Sequence, residues 1–132
     1  MNYVGIDPGQ TTGVAVLRSS VLADVDAFRM PDELEEFVLY LGAVPDPVTY
    51  VVEDWVGSGA LDRHAKLTIE IIGAVKAEAA RRDVDCIAQQ PQARIHKEDE
   101  ARRLIRESGL VHFMSHHVSA LAHALRAAKK GG

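Results

Sequence analysis

Apolar residues near the amino terminus recur in three strand-length runs, Tyr3 to Asp7, Thr12 to Arg18 and Val21 to Phe28, separated by Pro-Gly-Gln-Thr and then by Ser19-Ser20. Short runs bounded by turn formers predict three successive strands in a meander. The period then changes. Leu34, Phe37, Val38 and Leu41 fall at helical spacing after the acidic opening Pro31-Asp32-Glu33, and Gly42 closes that helix. Pro45-Asp46-Pro47 breaks the chain before Thr49 to Glu53, an apolar strand suited to the interior of a sheet. Leu61 to Arg82 is the longest periodic segment, with Leu67, Ile71, Val75 and Ala79 in one stripe and Glu70, Lys76, Glu78 and Arg81 largely outside it. Val84 to Ala88 supplies a fifth strand and Pro91 starts an irregular basic connection. Glu98 to Glu107 is a charged helix stopped by Gly109, and Ser115 to Lys129 is the last helix.

Three antiparallel strands followed by strand-helix-strand alternation specify an α/β protein with a mixed five-stranded sheet, three strands antiparallel and the rest parallel, flanked by helices on both faces. This is the order of the ribonuclease H-like fold. The 132 residues make one domain over positions 1–130, with Gly131-Gly132 as a tail. No apolar run approaches the length of a membrane span and no charged signal opening follows Met1, so a soluble cytoplasmic protein is expected. The single cysteine, Cys86, excludes an internal disulfide.

A formal net charge of -4 argues weakly against nucleic acid as a partner, but distribution matters more than the total. Acids crowd into Asp24 to Glu36. Bases gather as Arg63, His64 and Lys66, as Arg94, His96 and Lys97, as Arg102, Arg103 and Arg106, and as Lys129 and Lys130. Each cluster alone reads as a solvated helix face; together they can line one phosphate-tracking surface.

The chemistry starts at Val4-Gly5-Ile6-Asp7-Pro8-Gly9, where strand alternation sends Val4 and Ile6 to one face and Gly5 and Asp7 to the other. A carboxylate there needs a cation or hydrogen-bond donors, because a buried unpaired charge is costly. Asp7 does more than open an Asp-Pro-Gly turn, since Val14 to Leu17 resumes the strand at once. A second acid pair, Glu53-Asp54, closes the apolar run Val51-Val52 at the carboxyl end of its strand, where ligand sites of such sheets gather. Glu53 shares a face with Val51 and Asp54 with Val52, so one of the two faces Asp7. The third element is the last helix. His116 and His123 are seven residues apart and share a face, with Ser119 and Ala120 between them. His123 reads as a hydrogen-bonded core residue, whereas His116 and His117 sit at the helix start, where chain and sheet end can meet.

Gly5-Ile6-Asp7-Pro8-Gly9, the Thr12-Gly13 turn, Val52-Glu53 and the terminal Ala-Leu-Ala-His-Ala-Leu helix together resemble RuvC-type Holliday junction resolvases, especially small phage versions. The resemblance covers nearly the whole chain in order. It implies a dimeric, ribonuclease H-like endonuclease that uses Mg2+ or Mn2+ to cut branched DNA, with Asp7 as the central metal ligand and Glu53 as the second. The family's last helix supplies His-x-x-Asp or Asp-x-x-Asp, and here this chain departs. Laid on without a gap, the pattern matches His116 and puts Ser119 in place of the final Asp; with one residue lost, it matches His117 and the Asp is absent. A hydroxyl does not replace a carboxylate at a divalent cation, so the second metal position is the one in doubt.

The implied mechanism is in-line hydrolysis assisted by two cations, leaving 5'-phosphate and 3'-hydroxyl ends, with His116 or His117 as ligand or proton carrier and Ser119 beside the metal. Arg63, Lys66, Arg94, Lys97, Arg102 and Arg103 are the candidate phosphate contacts, and Trp55 is a candidate for stacking on an unpaired base or for the core. The Leu61 to Arg82 helix offers its apolar stripe as a dimer contact or as cover for its own sheet. Competing readings are a small RNA-processing nuclease of the YqgF type and a module that binds branched DNA without cutting it. A phosphate-binding ATPase of the actin and sugar-kinase class would need a second lobe, for which this length has no room.

Overall fold

The computed structural model describes residues 1–54, 62–109 and 115–131. Five strands, β1 (Asn2–Asp7), β2 (Thr11–Arg18), β3 (Val21–Arg29), β4 (Val48–Glu53) and β5 (Asp85–Gln89), form one sheet in the order β3-β2-β1-β4-β5. β1, β2 and β3 pair antiparallel, whereas β4 and β5 run parallel to β1. Ser19 and Ser20 make the β2–β3 hairpin with φ of 49° and 67°, the double left-handed geometry that matches the twist of two antiparallel strands.

Helices α1 (Leu34–Ala43) and α2 (Arg63–Arg82) cover one face, α3 (Glu98–Glu107) and α4 (Ser115–Gly131) the other. Strand alternation divides the core accordingly. Val4, Ile6, Tyr50 and Val52 pack with Phe37, Leu41, Ile71 and Val75 on the first face. Ala15 and Leu17 pack with Ala101, Ile105, Leu121 and Leu125 on the second. This is the mixed, helix-covered sheet that the sequence predicts.

Several boundaries differ for local reasons. Pro31 to Glu33 forms a turn, Gly42 lies inside α1, and Val44 in extended backbone ends that helix. α2 starts at Arg63 because Asp62 caps it, its side chain accepting the Ala65 N–H at 2.8 Å. It ends at Asp83, whose left-handed φ of 57° returns its N–H to the last carbonyls. Glu78 does not stay outside the apolar stripe: α1 packs over it at Gly42, and Arg81 pairs with its carboxylate. The basic connection after Pro91 is a 3-10 helix, Pro91–Lys97. β5 runs one residue further than its apolar pattern, which brings Gln89 into the strand. Trp55 and Leu61 lie outside the described residues. Among the described residues no helix is long and apolar enough to cross a membrane.

Candidate active site

Asp7 and Glu53 close the carboxyl ends of two adjacent parallel strands, because Ile6 is paired with Val52 across β1 and β4. Both side chains turn to the α4 face, as their alternation requires. The other end of each interaction is supplied by α4, which reaches the sheet through two glycines. A Cβ on Gly5 would lie 1.7 Å from the Ala120 carbonyl oxygen, and one on Gly13 would lie 2.6 Å from that of His116. Only the absence of a side chain lets the helix backbone sit there.

That docking lays the first turn of α4 over Asp7. His116 Nδ1–H donates to Asp7 Oδ2 at 3.2 Å, leaving the other ring nitrogen as an acceptor in the neutral ring. Ser119, one turn on, lines the same cleft; its hydroxyl is buried without a hydrogen-bond partner among the described residues. His117 points elsewhere: its Nε2–H donates to the Asp26 carbonyl on β3 at 3.1 Å, and burial lowers its pKa. Successive helical residues cannot share a face, so the structure brings His116, not His117, to the two acids.

Glu53 is held from two sides. His123, fully buried, donates Nε2–H to Glu53 Oε1 at 3.0 Å, and the Gln89 side-chain amide lies 2.7 Å from the other ring nitrogen. Arg94 Nη1 donates to the same Glu53 oxygen at 2.5 Å, while its Nε donates to Glu98 at 3.0 Å. Burial works to raise the Glu53 pKa, but the His123 hydrogen bond and the Arg94 charge outweigh it and hold the carboxyl below its ordinary range. Asp7 goes the other way: burial first, and then the facing Glu53 charge, push its pKa up, against the smaller pull of His116 and Arg94. Two carboxylates with opposite shifts therefore face one another across a cleft of about 260 Å³.

The donor set suits one hard divalent ion. Asp7 Oδ1 and Glu53 Oε2 have no hydrogen-bond partner among the described residues, and Mg2+ is commonly held by one or two carboxylates with water or phosphate completing its shell. The second ion that the resemblance implies would meet only an uncharged hydroxyl at Ser119. Among the described residues there is no group of three or more His, Cys, Asp or Glu side chains that could hold a metal.

The six basic candidates separate. Arg94 and Arg102 line the acidic cleft, with Arg102 3.5 Å from Glu98. Arg63 and Lys66 border a second cleft with Gln10, which belongs to the turn after Asp7, so they stand at the same rim of the sheet. Lys97 and Arg103 border a third, beside Leu125 and Lys129, and pair with Glu100 and Glu107. Sequence reasoning missed Gln89 and Glu98 altogether and took His123 only as core. The spacing from His116 to His123 is the one signal that pointed there, and it did not reveal Glu53 as the partner.

No family model matches the chain, and no curated protein matches it by sequence. Solved structures do. RuvC of Thermus thermophilus in complex with Holliday junction substrate superposes with a TM-score of 0.72 at 25% identity, covering 99% of this chain and 94% of that one. The Fowlpox virus resolvase in complex with Holliday junction DNA gives 0.68 at 12% identity, covering 97% of this chain and 99% of that one. The second likeness bears on fold alone; the first extends over both acids and the last helix. The chain carries the ribonuclease H-like fold in its RuvC-type form.

Proposed function

We propose that this protein is a structure-specific endonuclease that resolves Holliday junctions and other branched DNA by divalent-metal-dependent phosphodiester hydrolysis. The observation that carries this reading is the convergence of Asp7 and Glu53 beneath His116 at the sheet rim, in a fold shared along its length with a RuvC bound to junction substrate.

In this reading Asp7 and Glu53 hold Mg2+ or Mn2+. Such an ion, when bound, lowers the pKa of coordinated water and stabilises charge on the departing oxygen. The chain's own residues do the rest. Glu53 stays ionised because His123 and Arg94 donate to it, and Asp7 is oriented by the His116 ring. The free His116 nitrogen accepts the proton of the attacking water as the new oxygen–phosphorus bond forms and the bond to O3' breaks; the departing O3' takes a proton from solvent, leaving 5'-phosphate and 3'-hydroxyl ends. Arg63, Lys66, Lys97, Arg102 and Arg103 contact phosphates flanking the cut. The apolar stripe of α2, Leu67, Ile71, Val75 and Ala79, covers the chain's own sheet, so a pair of chains, which two matched cuts in a twofold junction need, would use the outer side of α2, where Ile69 is exposed.

The test is cleavage of a synthetic four-way junction in Mg2+ and in Mn2+. Paired nicks near the crossover are expected, falling at least about 100-fold in Asp7→Asn. The uncharged Ser119 favours a second reading, a branched-DNA binding module that does not cut. Tight junction binding with no turnover in either metal would select it.

A further inference from the structure

The guanidinium of Arg94 forms part of the cleft wall, although the sequence marks it as a phosphate contact. Its Nη1 donates to Glu53 Oε1 and reaches the Pro91 carbonyl at 3.4 Å, its Nε donates to Glu98, and Nη2 has no partner among the described residues. Glu53 Oε1 already accepts from His123, so both lone-pair directions of that oxygen are taken by N–H donors. Across the cleft, where a third carboxylate would complete a second ion's shell, the Ser119 hydroxyl is buried and unpartnered. Asp7, Glu53 and Glu98 face Arg94 and Arg102, which leaves one net negative charge in the cleft. One dication reverses that sign; two would leave a strong excess of positive charge.

Building on the nuclease reading above, we propose that Arg94 is the resident second cation of this centre, occupying the side of Glu53 that a second divalent ion would need, so that each chain takes up one Mn2+ and not two. Its unpartnered Nη2 is then available to a phosphate oxygen, and a fixed guanidinium supplies there the charge stabilisation otherwise supplied by metal.

The experiment is a Mn2+ titration of the full chain without DNA, followed by the electron paramagnetic resonance signal of free Mn2+. The expected uptake is one ion per chain in the wild type, in Ser119→Asp and in Arg94→Lys, and two in Ser119→Asp combined with Arg94→Ala. Two ions in the wild type or in Ser119→Asp alone would overturn the proposal, as would a single ion in a folded double variant. The single variants keep the test decisive if the double variant fails to fold. No uptake by the wild type rejects this proposal together with the metal-dependent reading, whereas one ion bound without junction cleavage upholds it and rejects the nuclease function.

Discussion

Asp7 is a destabilised residue, and its position explains why. A carboxyl whose folded pKa is raised disfavours folding in full above that pKa; the burden shrinks as pH falls through it and is gone only below the ordinary unfolded value. Glu53, with its pKa lowered, contributes the opposite: stability present above the unfolded value and lost as pH falls through the folded one. Asp7→Asn therefore removes the burden together with the proposed activity. At neutral pH its melting temperature in metal-free buffer should rise. The gain should shrink as the pH of the melts falls below the raised Asp7 value and vanish below the ordinary carboxylate range. Alternation of period two put Asp7 on the face opposite Val4 and Ile6 and left Glu53 or Asp54 as its neighbour; the choice of Glu53 comes from the register of β4 against β1, which a single strand's pattern does not contain. The choice between His116 and His117 was not legible, because a helix turns about 100° per residue and its rotation is fixed only by what it packs against. The pairing of Arg94 with Glu53 was hidden for a related reason: the two are 41 residues apart.

At the scale of elements, α4 is set by glycines in the strands beneath it more than by its own sequence. Gly5→Ala would drive a Cβ into the Ala120 carbonyl, and a backbone atom cannot swing aside. Chemical denaturation should show a loss of at least about 3 kcal/mol, with α4 displaced from Asp7. Gly73→Ala provides the contrast, since that glycine is an exposed position of α2 with nothing within 4 Å of its added methyl. There the same substitution should stabilise by about 1 kcal/mol through helix propensity alone. The existence and order of the elements were readable because their hydrophobic periods are long and distinct. The one-residue extension of β5 was not, since Gln89 joins the strand through pairing with Glu53 on β4. That extension is what brings the Gln89 amide to His123.

For the whole molecule the question is how a chain of net charge -4 would engage the branched DNA proposed as its substrate. Part of the charge is separated: Asp24 and Asp26 lie on β3, at one edge of the sheet, whereas Arg63 and Lys66 stand at the rim that carries Asp7. Junction affinity should fall steeply with salt, and Arg63→Ala or Lys66→Ala should each reduce the slope of log K against log salt by about 0.9. Filter binding between low and moderate salt would measure it, and unchanged slopes would remove that rim from the interface.

The hydrogen bond between His116 and Asp7 joins positions 109 residues apart. Neither half of the polypeptide contains a working centre, and no early folding intermediate that lacks the docked last helix can assemble one. In the proposed nuclease, strand scission would thereby be tied to completion of the native state: a nascent or carboxyl-truncated copy would be inert toward DNA, and the topology itself would act as the safety catch.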